Sequence, residues 1–426
     1  MRIVIVGAGI GGLITALRLH NEGIDCEIYE QSDQIRELGV GINLLPNAVK
    51  ELAVVGLLDQ LNEVGIRTHE LFYTHRLGHQ ILRKPCGLDA GFTLPQFSIH
   101  RGSLQGLLLR AVRERLGAGA VHTGHRLIGF EQDAKGVRAR FVHRHGDASQ
   151  PVHGDALVAA DGIHSTVRAI LFPAEGPPRW NGVMMWRGAT DWPAFGTGRS
   201  MIIAGGNTAK FVVYPIAEGR THGTKLTNWA LCVLTGQPGD PPPGRQDWSR
   251  PADPADLERH VGLFRMSLDH VALVKATGEA FEFPMCDRDP LPYWTKGRVT
   301  LLGDAAHPMY PMGSNGAGQS ILDAASLGGH LARHADPADA LRAYQDDRLP
   351  ATSEVVLRNR VGGPESVIDE VERRAPEGFS RIEDVIDAAE IEAAVKGYAQ
   401  ASGSSQEQVN RPGSVAGSRT PSAEPG

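Results

Sequence analysis

Three clusters of residues in this sequence have the types and spacing to do chemistry. The first is Gly7-x-Gly9-x-x-Gly12, with Glu30 about twenty residues on. In such a pattern Gly7 permits a tight turn, Gly9 lets backbone approach a pyrophosphate, and Gly12 lets helix and sheet pack closely. The helix that follows offers unpaired N–H groups and a partial positive charge to the phosphates. Glu30 can accept both hydroxyls of a ribose and would repel a 2′-phosphate. The pattern specifies a dinucleotide and leaves NAD and FAD both open. The second cluster is Asp161-Gly162-Ile-His-Ser-Thr-Val-Arg168, and the third runs from Gly303-Asp304 through Ser314-Asn315-Gly316-Ala317-Gly318.

Each cluster needs an element to hold it. Residues 2–6 (RIVIV) read as a buried strand, the run after Gly12 as a helix, and residues 24–29 as a second strand, which together make a βαβ unit. Residues 155–160 and 298–302 read as further buried strands, each stopped by Gly-Asp or Asp-Gly. Residues 103–116 predict an amphipathic helix with Ser103 as N-cap, and another helix is expected from about Ser320. Between 178 and 284 short runs rich in Val, Ile, Trp, Phe and Tyr alternate with Gly, Pro and Asp, the texture of an antiparallel sheet. The fold class is therefore α/β: a discontinuous Rossmann-like domain (1–69, 98–177 and 285–334) with a mainly antiparallel substrate domain inserted (70–97 and 178–284). A helical segment (335–400) and a Ser/Gly/Pro-rich tail (401–426), expected to be disordered, complete the chain.

Composition narrows the class. Forty-three basic and forty-nine acidic residues give a formal charge of -6 without a basic block, which argues against nucleic acid and against a polybasic membrane anchor. No apolar run approaches the ~20 residues that span a bilayer. The chain enters a strand at its start, so no signal peptide is expected. Four scattered cysteines without a CxxC pair suit a reducing cytoplasm.

In all three clusters and their order, over roughly residues 1–360, the sequence resembles the class A flavoprotein monooxygenases typified by p-hydroxybenzoate hydroxylase. The stretches FPMCDRDPLPYWTKGRVTLLG, GVGIN, SIHRG and MWRG are similar to the phenazine-carboxylate monooxygenases, the branch serving pyocyanin biosynthesis. The resemblance implies FAD as cofactor, NADH or NADPH and O2 as co-substrates, and hydroxylation of an aromatic or heteroaromatic acid through a flavin C4a-hydroperoxide, with decarboxylation where the ring is a phenazine carboxylate. It implies that Asp304 meets the ribityl hydroxyls and that the Ser314–Gly318 amides face the flavin N1–C2 carbonyl. Arg101 would contact the FAD, Val40-Gly41 would lie beside the isoalloxazine, and Leu127 would meet the adenine through its backbone. Asp161-Gly162 would sit near the pyrophosphates. With no second GxGxxG, the nicotinamide is expected to dock transiently.

The substrate site is less determined. In FVVYPI, alternation puts Val212 and Tyr214 on one face and Phe211 and Val213 on the other. Tyr214 can hydrogen-bond a substrate or wedge the sheet core. Several family members carry a histidine four residues before that tyrosine; here it is Lys210, which would suit a carboxylated ring. Pro308, Met309 and Met312 are expected to line a flat apolar cavity, and Trp186 and Arg187 fall in its wall or in the core. His122-x-x-His125 and His143-x-His145 lack a third ligand and read as surface residues, so no metal is expected. The partner is a small aromatic molecule and the chain a monomer or homodimer. The rival readings are a flavoprotein N-hydroxylase or epoxidase of natural-product biosynthesis and a flavin redox sensor.

Overall fold

Residues 3–6 are apolar without alternation because both faces of their strand are covered. In this computed structural model, which describes residues 1–35, 40–143, 146, 147, 149–244 and 250–412, Arg2–Val6 lies inside a six-stranded sheet. It pairs in parallel with Asp25–Tyr29 on one side and Ala156–Ala159 on the other. Val299–Leu301 continues the sheet in parallel beyond Ala156–Ala159. The helices Ile10–Asn21, Arg101–Leu116 and Gly316–Arg333 pack on it through one large apolar core.

A second sheet of seven strands is built from Glu70–Thr74, Gln80–Pro85, Arg179–Pro193, Ser200–Ala204, Ala209–Glu218, Thr224–Leu234 and Ala280–Asp287. One face buries Phe211, Trp229 and Leu231 in a core that includes Leu257 and Leu273 of the short helices behind it. On the other face Tyr214, Met201 and Ile203 meet Val367, Ile368 and Ile391 from helices after residue 360. No helix among the described residues is long and apolar enough to cross a membrane.

Three local expectations are corrected. The helix at 101–116 is capped by His100, whose Nδ1 accepts from Ser103 N, so Ser103 is the donor and not the cap. The helix expected near Ser320 begins at Gly316, its start disguised by two glycines in the first turn. The tail is not disordered from 401. Gln406–Asn410 is helical, Lys50 Nζ donates to the Val409 carbonyl at 2.9 Å, and Asn410 Nδ2 donates to the Gly91 carbonyl at 2.9 Å. Residues 413–426 lie outside the described residues.

Arg168, only 1% exposed, ties the second sequence cluster to the third. Its Nη1 donates to the carbonyls of Ala305 and Ala306 at 3.1 and 2.7 Å, and its Nε donates to Glu175 at 2.8 Å. Removing one partner of a buried pair costs about 3 kcal/mol, because the other groups are left without compensation. Arg168→Met should therefore lower the unfolding free energy of the apoprotein by about that amount in urea. A loss below about 0.5 kcal/mol would mean that the guanidinium is dispensable.

Candidate functional site

The glycine-rich turn is shaped by what its neighbours leave room for. A Cβ on Gly7 would lie 2.4 Å from the Ala160 carbonyl oxygen and one on Gly12 1.9 Å from that of Gly7, whereas Gly9 faces open space. Gly7 also has φ +102°, a region that disfavours side chains. Glu30 closes the turn: its Oε2 accepts from Ala8 N and its Oε1 from Ser32 N, both at 2.8 Å. Gln105 Nε2 donates to the Ala8 carbonyl at 2.8 Å, so the helix after Arg101 braces the turn from behind.

Asp161 accepts from Thr166 N at 2.8 Å at the start of the short helix Thr166–Leu171, which Ser165 caps. Burial raises its pKa, and its Oδ1 has no partner among the described residues. Gly162 beside it faces open space. Asp304 is open to an internal cavity yet deep in the protein, so burial raises its pKa above the usual carboxylate value, with His307 and Arg101 pulling the other way. Beneath it lies a buried network. Asp323 accepts from Gly303 N at 3.0 Å, meets His307 Nε2 at 2.6 Å and accepts from Arg348 Nε at 2.8 Å. Burial alone would raise the Asp323 pKa; His307 and Arg348 outweigh it and hold the group below the ordinary value.

The loop ahead of Gly316–Arg333 turns through two left-handed residues, Gly313 at φ 62° and Ser314 at φ 58°. Ser314 is the only described non-glycine residue with positive φ, and such backbone persists where its surroundings over-determine it. Gly316 and Gly318 leave the helix start uncluttered: a Cβ on Gly316 would meet nothing and one on Gly318 only Ala48 at 3.7 Å. The Asn315 side chain turns away from that start, donating to the Gly313 carbonyl at 2.9 Å and to Tyr398 Oη at 3.0 Å.

The glycine-rich turn, Asp304 and the start of Gly316–Arg333 open into one cavity of about 300 Å³. Gly9, Gly11, Gly162, Asp304 and Arg101 line one part of it, and Ser314, Asn315, Gly316 and Ala317 the middle. Much of the remainder is the seven-stranded sheet. Lys210, Val212 and Tyr214 line it from Ala209–Glu218, Ala230 and Cys232 from the neighbouring Thr224–Leu234, and Met185 and Arg187 from Arg179–Pro193 beyond that, as alternation requires. Trp186, by the same parity, goes to the core and donates to Glu282 at 3.2 Å. Pro308, Met309 and Met312 also line the cavity, Met312 against Lys210.

Tyr214 hydrogen-bonds Arg187 and Asn43, and burial lifts its pKa to about 12 against both, so at neutral pH its hydroxyl is a donor and not a base. Gly41 is gripped from the sheet: its N–H donates to Asn228 Oδ1 at 2.8 Å and its carbonyl accepts from Arg187. Lys210 is not an open ammonium waiting for a carboxylate. It is 3% exposed and ion-paired with Glu365, with Met312 Sδ 2.9 Å away. Burial would lower its pKa, but Glu365 raises it above the ordinary lysine value. Of the pair that the sequence left between wall and core, Arg187 lines the cavity and Trp186 packs in the core; sequence reasoning missed Glu365, which lies 155 residues from Lys210.

Other expected site residues stand apart from the lining. Val40 is buried, its carbonyl accepting from Arg101 N at 3.0 Å, and Leu127 is buried in the main core. His122 stacks on Tyr29 with ring centroids 4.6 Å apart, and His125 packs against His143 at 4.4 Å. His145 lies outside the described residues.

The partnerless Asp161 Oδ1, the open space at Gly9 and Gly162, the cavity-facing Asp304 and the bare helix start at Gly316 suit a long, polar, phosphate-bearing ligand with a flat ring. Comparison with known proteins agrees. Residues 1–359 match a family described as FAD binding domain. The chain is 43% identical over 363 residues to phenazine 1,6-dicarboxylic acid hydroxylase PhzS of Lysobacter antibioticus, covering 84% of this chain and 89% of that one. It is 32% identical to 3-hydroxybenzoate 6-hydroxylase 1 of Aquipseudomonas alcaligenes, covering 84% and 87%. Among solved structures, Klebsiella pneumoniae HpxO complexed with FAD and uric acid superposes with a TM-score of 0.75 at 25% identity, covering 95% of this chain and 97% of that one.

Asp304 gives a test with two opposite signs. Its folded-state pKa is raised, so its contribution to stability is full below the unfolded value of 3.8 and is lost as pH rises through the folded value. Asp304→Asn should therefore stabilise the apoprotein at pH 7 and not below pH 3.8, as read by thermal melts. The same variant should bind FAD at least about tenfold more weakly, since a charged acceptor for hydroxyls is gone. Unchanged FAD affinity would remove Asp304 from the cofactor site.

Proposed function

Because the chain belongs to the FAD binding domain family and is an FAD-dependent aromatic hydroxylase consuming reduced nicotinamide and O2, we propose that its substrate is a flat fused heteroaromatic acid of the phenazine-carboxylate type, hydroxylated at the carbon that loses its carboxylate. The observation that carries this reading is the cavity itself: a single space joins the dinucleotide-shaped half to a room walled by Met185, Met201, Met285, Met309, Met312 and Phe283. Thioethers and an aromatic ring conform to a flat apolar body. The 43% identical relative named for a phenazine dicarboxylic acid supports the same class.

The roles follow from what each side chain offers. Gly9 and Gly11 would take the pyrophosphate at the helix start, Glu30 the adenosine ribose, and Asp304 with Arg101 the ribityl chain. Asp161 and Gly162 would flank the phosphates, Leu127 the adenine, and Val40 with Gly41 the ring. Ser314, Asn315, Gly316, Ala317 and Gly318 would present their amides to the ring's polar edge. When bound, FAD accepts the electrons of the nicotinamide and activates dioxygen. The chain's part is to hold the acid against it and keep water out. Arg187, a fork of donors already meeting the Tyr214 hydroxyl, offers a bidentate seat for the carboxylate, with Tyr214 as a second donor. Pro308, Met309 and Met312 close the room on the loop side. Lys210, neutralised by Glu365, would tie the sheet to the segment after residue 360 at the same wall.

The net reaction balances as ArCOO⁻ + O2 + NAD(P)H + 2H⁺ giving ArOH + CO2 + NAD(P)⁺ + H2O: the C–COO⁻ bond breaks, a C–O bond forms, and the second oxygen leaves as water. Four buried free cysteines support a reducing, cytoplasmic setting, with the chain acting as a monomer or homodimer and without nucleic acid.

Incubation of the FAD-loaded enzyme with NADH, phenazine-1-carboxylate and ¹⁸O2 should give a hydroxyphenazine bearing one ¹⁸O, with CO2 released. Hydrogen peroxide alone would favour a redox sensor, and an oxidised ring nitrogen an N-hydroxylase. Arg187→Met should raise the apparent KM for the acid about tenfold or more and spare a decarboxylated ring of the same size. An equal effect on both compounds would take the carboxylate away from Arg187.

A further inference from the structure

The match to the FAD binding domain family ends at residue 359, yet the loop that starts the helix at Gly316 is held from beyond that point. Tyr398, on the helix Ala388–Ala401, is 4% exposed and inserts beneath Met312–Asn315. Its hydroxyl donates to Asn359 Oδ1 at 2.6 Å, lies 3.1 Å from the Met312 carbonyl and accepts from Asn315 Nδ2 at 3.0 Å. Its ring fills the space below Gly313, where a Cβ would come within 2.6 Å of it. Glu365 accepts from Gly313 N at 3.0 Å, and the Ser402 carbonyl accepts from Gln319 Nε2 at 2.9 Å, one turn into the helix. Glu365 thus holds Gly313 and Tyr398 holds Met312 and Asn315 on either side of the left-handed pair Gly313–Ser314, while Asn43 makes only a long 3.5 Å contact with Ser314 Oγ.

We propose that Tyr398 is a positioning residue for the cofactor loop Met312–Gly316, so that the segment after residue 359 completes the FAD site instead of merely covering the sheet. The inference rests on the reading that the amides at Ser314–Gly318 face the bound flavin. A left-handed Ser314 is strained and relaxes when its external ties are cut. Relaxation turns the helix start away from the ring and weakens the hold of its positive end on negative charge there.

The test titrates FAD into apoprotein and reads its affinity by flavin fluorescence, then measures the midpoint potential of the bound cofactor. Tyr398→Phe keeps the ring against Gly313 and removes only the hydroxyl. It should bind FAD about tenfold more weakly, the fold-change of one lost buried hydrogen bond, and hold it at a more negative potential. Asn359→Ser, which removes the acceptor that orients the hydroxyl, should move both readouts in the same direction. The comparison variant is Arg374→Ala, which cuts the ion pair to Glu390 between the two C-terminal helices without touching the loop. It should lower the melting temperature and leave FAD affinity and potential as in the parent. Parental affinity and potential in both Tyr398→Phe and Asn359→Ser would overturn the proposal, as would an equal loss in Arg374→Ala. A parent apoprotein that takes up no FAD would sink the flavin reading itself and this inference with it.

Discussion

Two helices, Ile10–Asn21 and Gly316–Arg333, begin at the wall of one cavity, and a helix cannot satisfy its own first amides. That constraint shapes most of what surrounds them. Donors left open toward a ligand must be held still by something other than helical hydrogen bonding. Here the task falls to buried polar side chains from distant parts of the chain. Glu30 and Gln105 fix the first turn, while Asp323, His307, Arg348 and Arg168 fix the floor between the two starts. Glu365 and Tyr398 fix the second loop.

The seven-stranded sheet completes the arrangement by walling the cavity. Its strands alternate, so one set of residues packs a tryptophan-rich core and the other faces the ligand space. The grip of Asn228 and Arg187 on Gly41 joins that sheet to the nucleotide-binding half at the cavity's edge. The spaces proposed for substrate and cofactor are therefore parts of one cavity, as a reaction that must exclude water requires.

Much of this was legible in the sequence because short-range chemistry carries it. A glycine triplet between a strand and a helix has a single geometric use, and the order of the three clusters gave both cofactor and family. Misreadings arose where the deciding partner is remote or local composition misleads. Lys210 looked like a carboxylate binder because Glu365, which neutralises it, lies far along the chain. Gly316 and Gly318 are poor helix formers, and they hid the helix start that they exist to keep bare. The stretch after 401 has a disordered composition, yet its first dozen residues find partners in Asn47, Lys50, Gly91 and Gln319. His100 took the cap from Ser103 because an imidazole nitrogen reached the amide first.

An aromatic acid and the flavin, if both bind as proposed, share one cavity, and the acid's arrival then governs the flavin's chemistry. The most direct measurement is the anaerobic bleaching of the visible flavin band by NADH, followed in a stopped-flow instrument with and without phenazine-1-carboxylate. The account predicts that the acid speeds bleaching by orders of magnitude while a decarboxylated phenazine does so far less. Bleaching at one rate whatever is added would contradict it, and would mean that the room beside the flavin does not report on the acid.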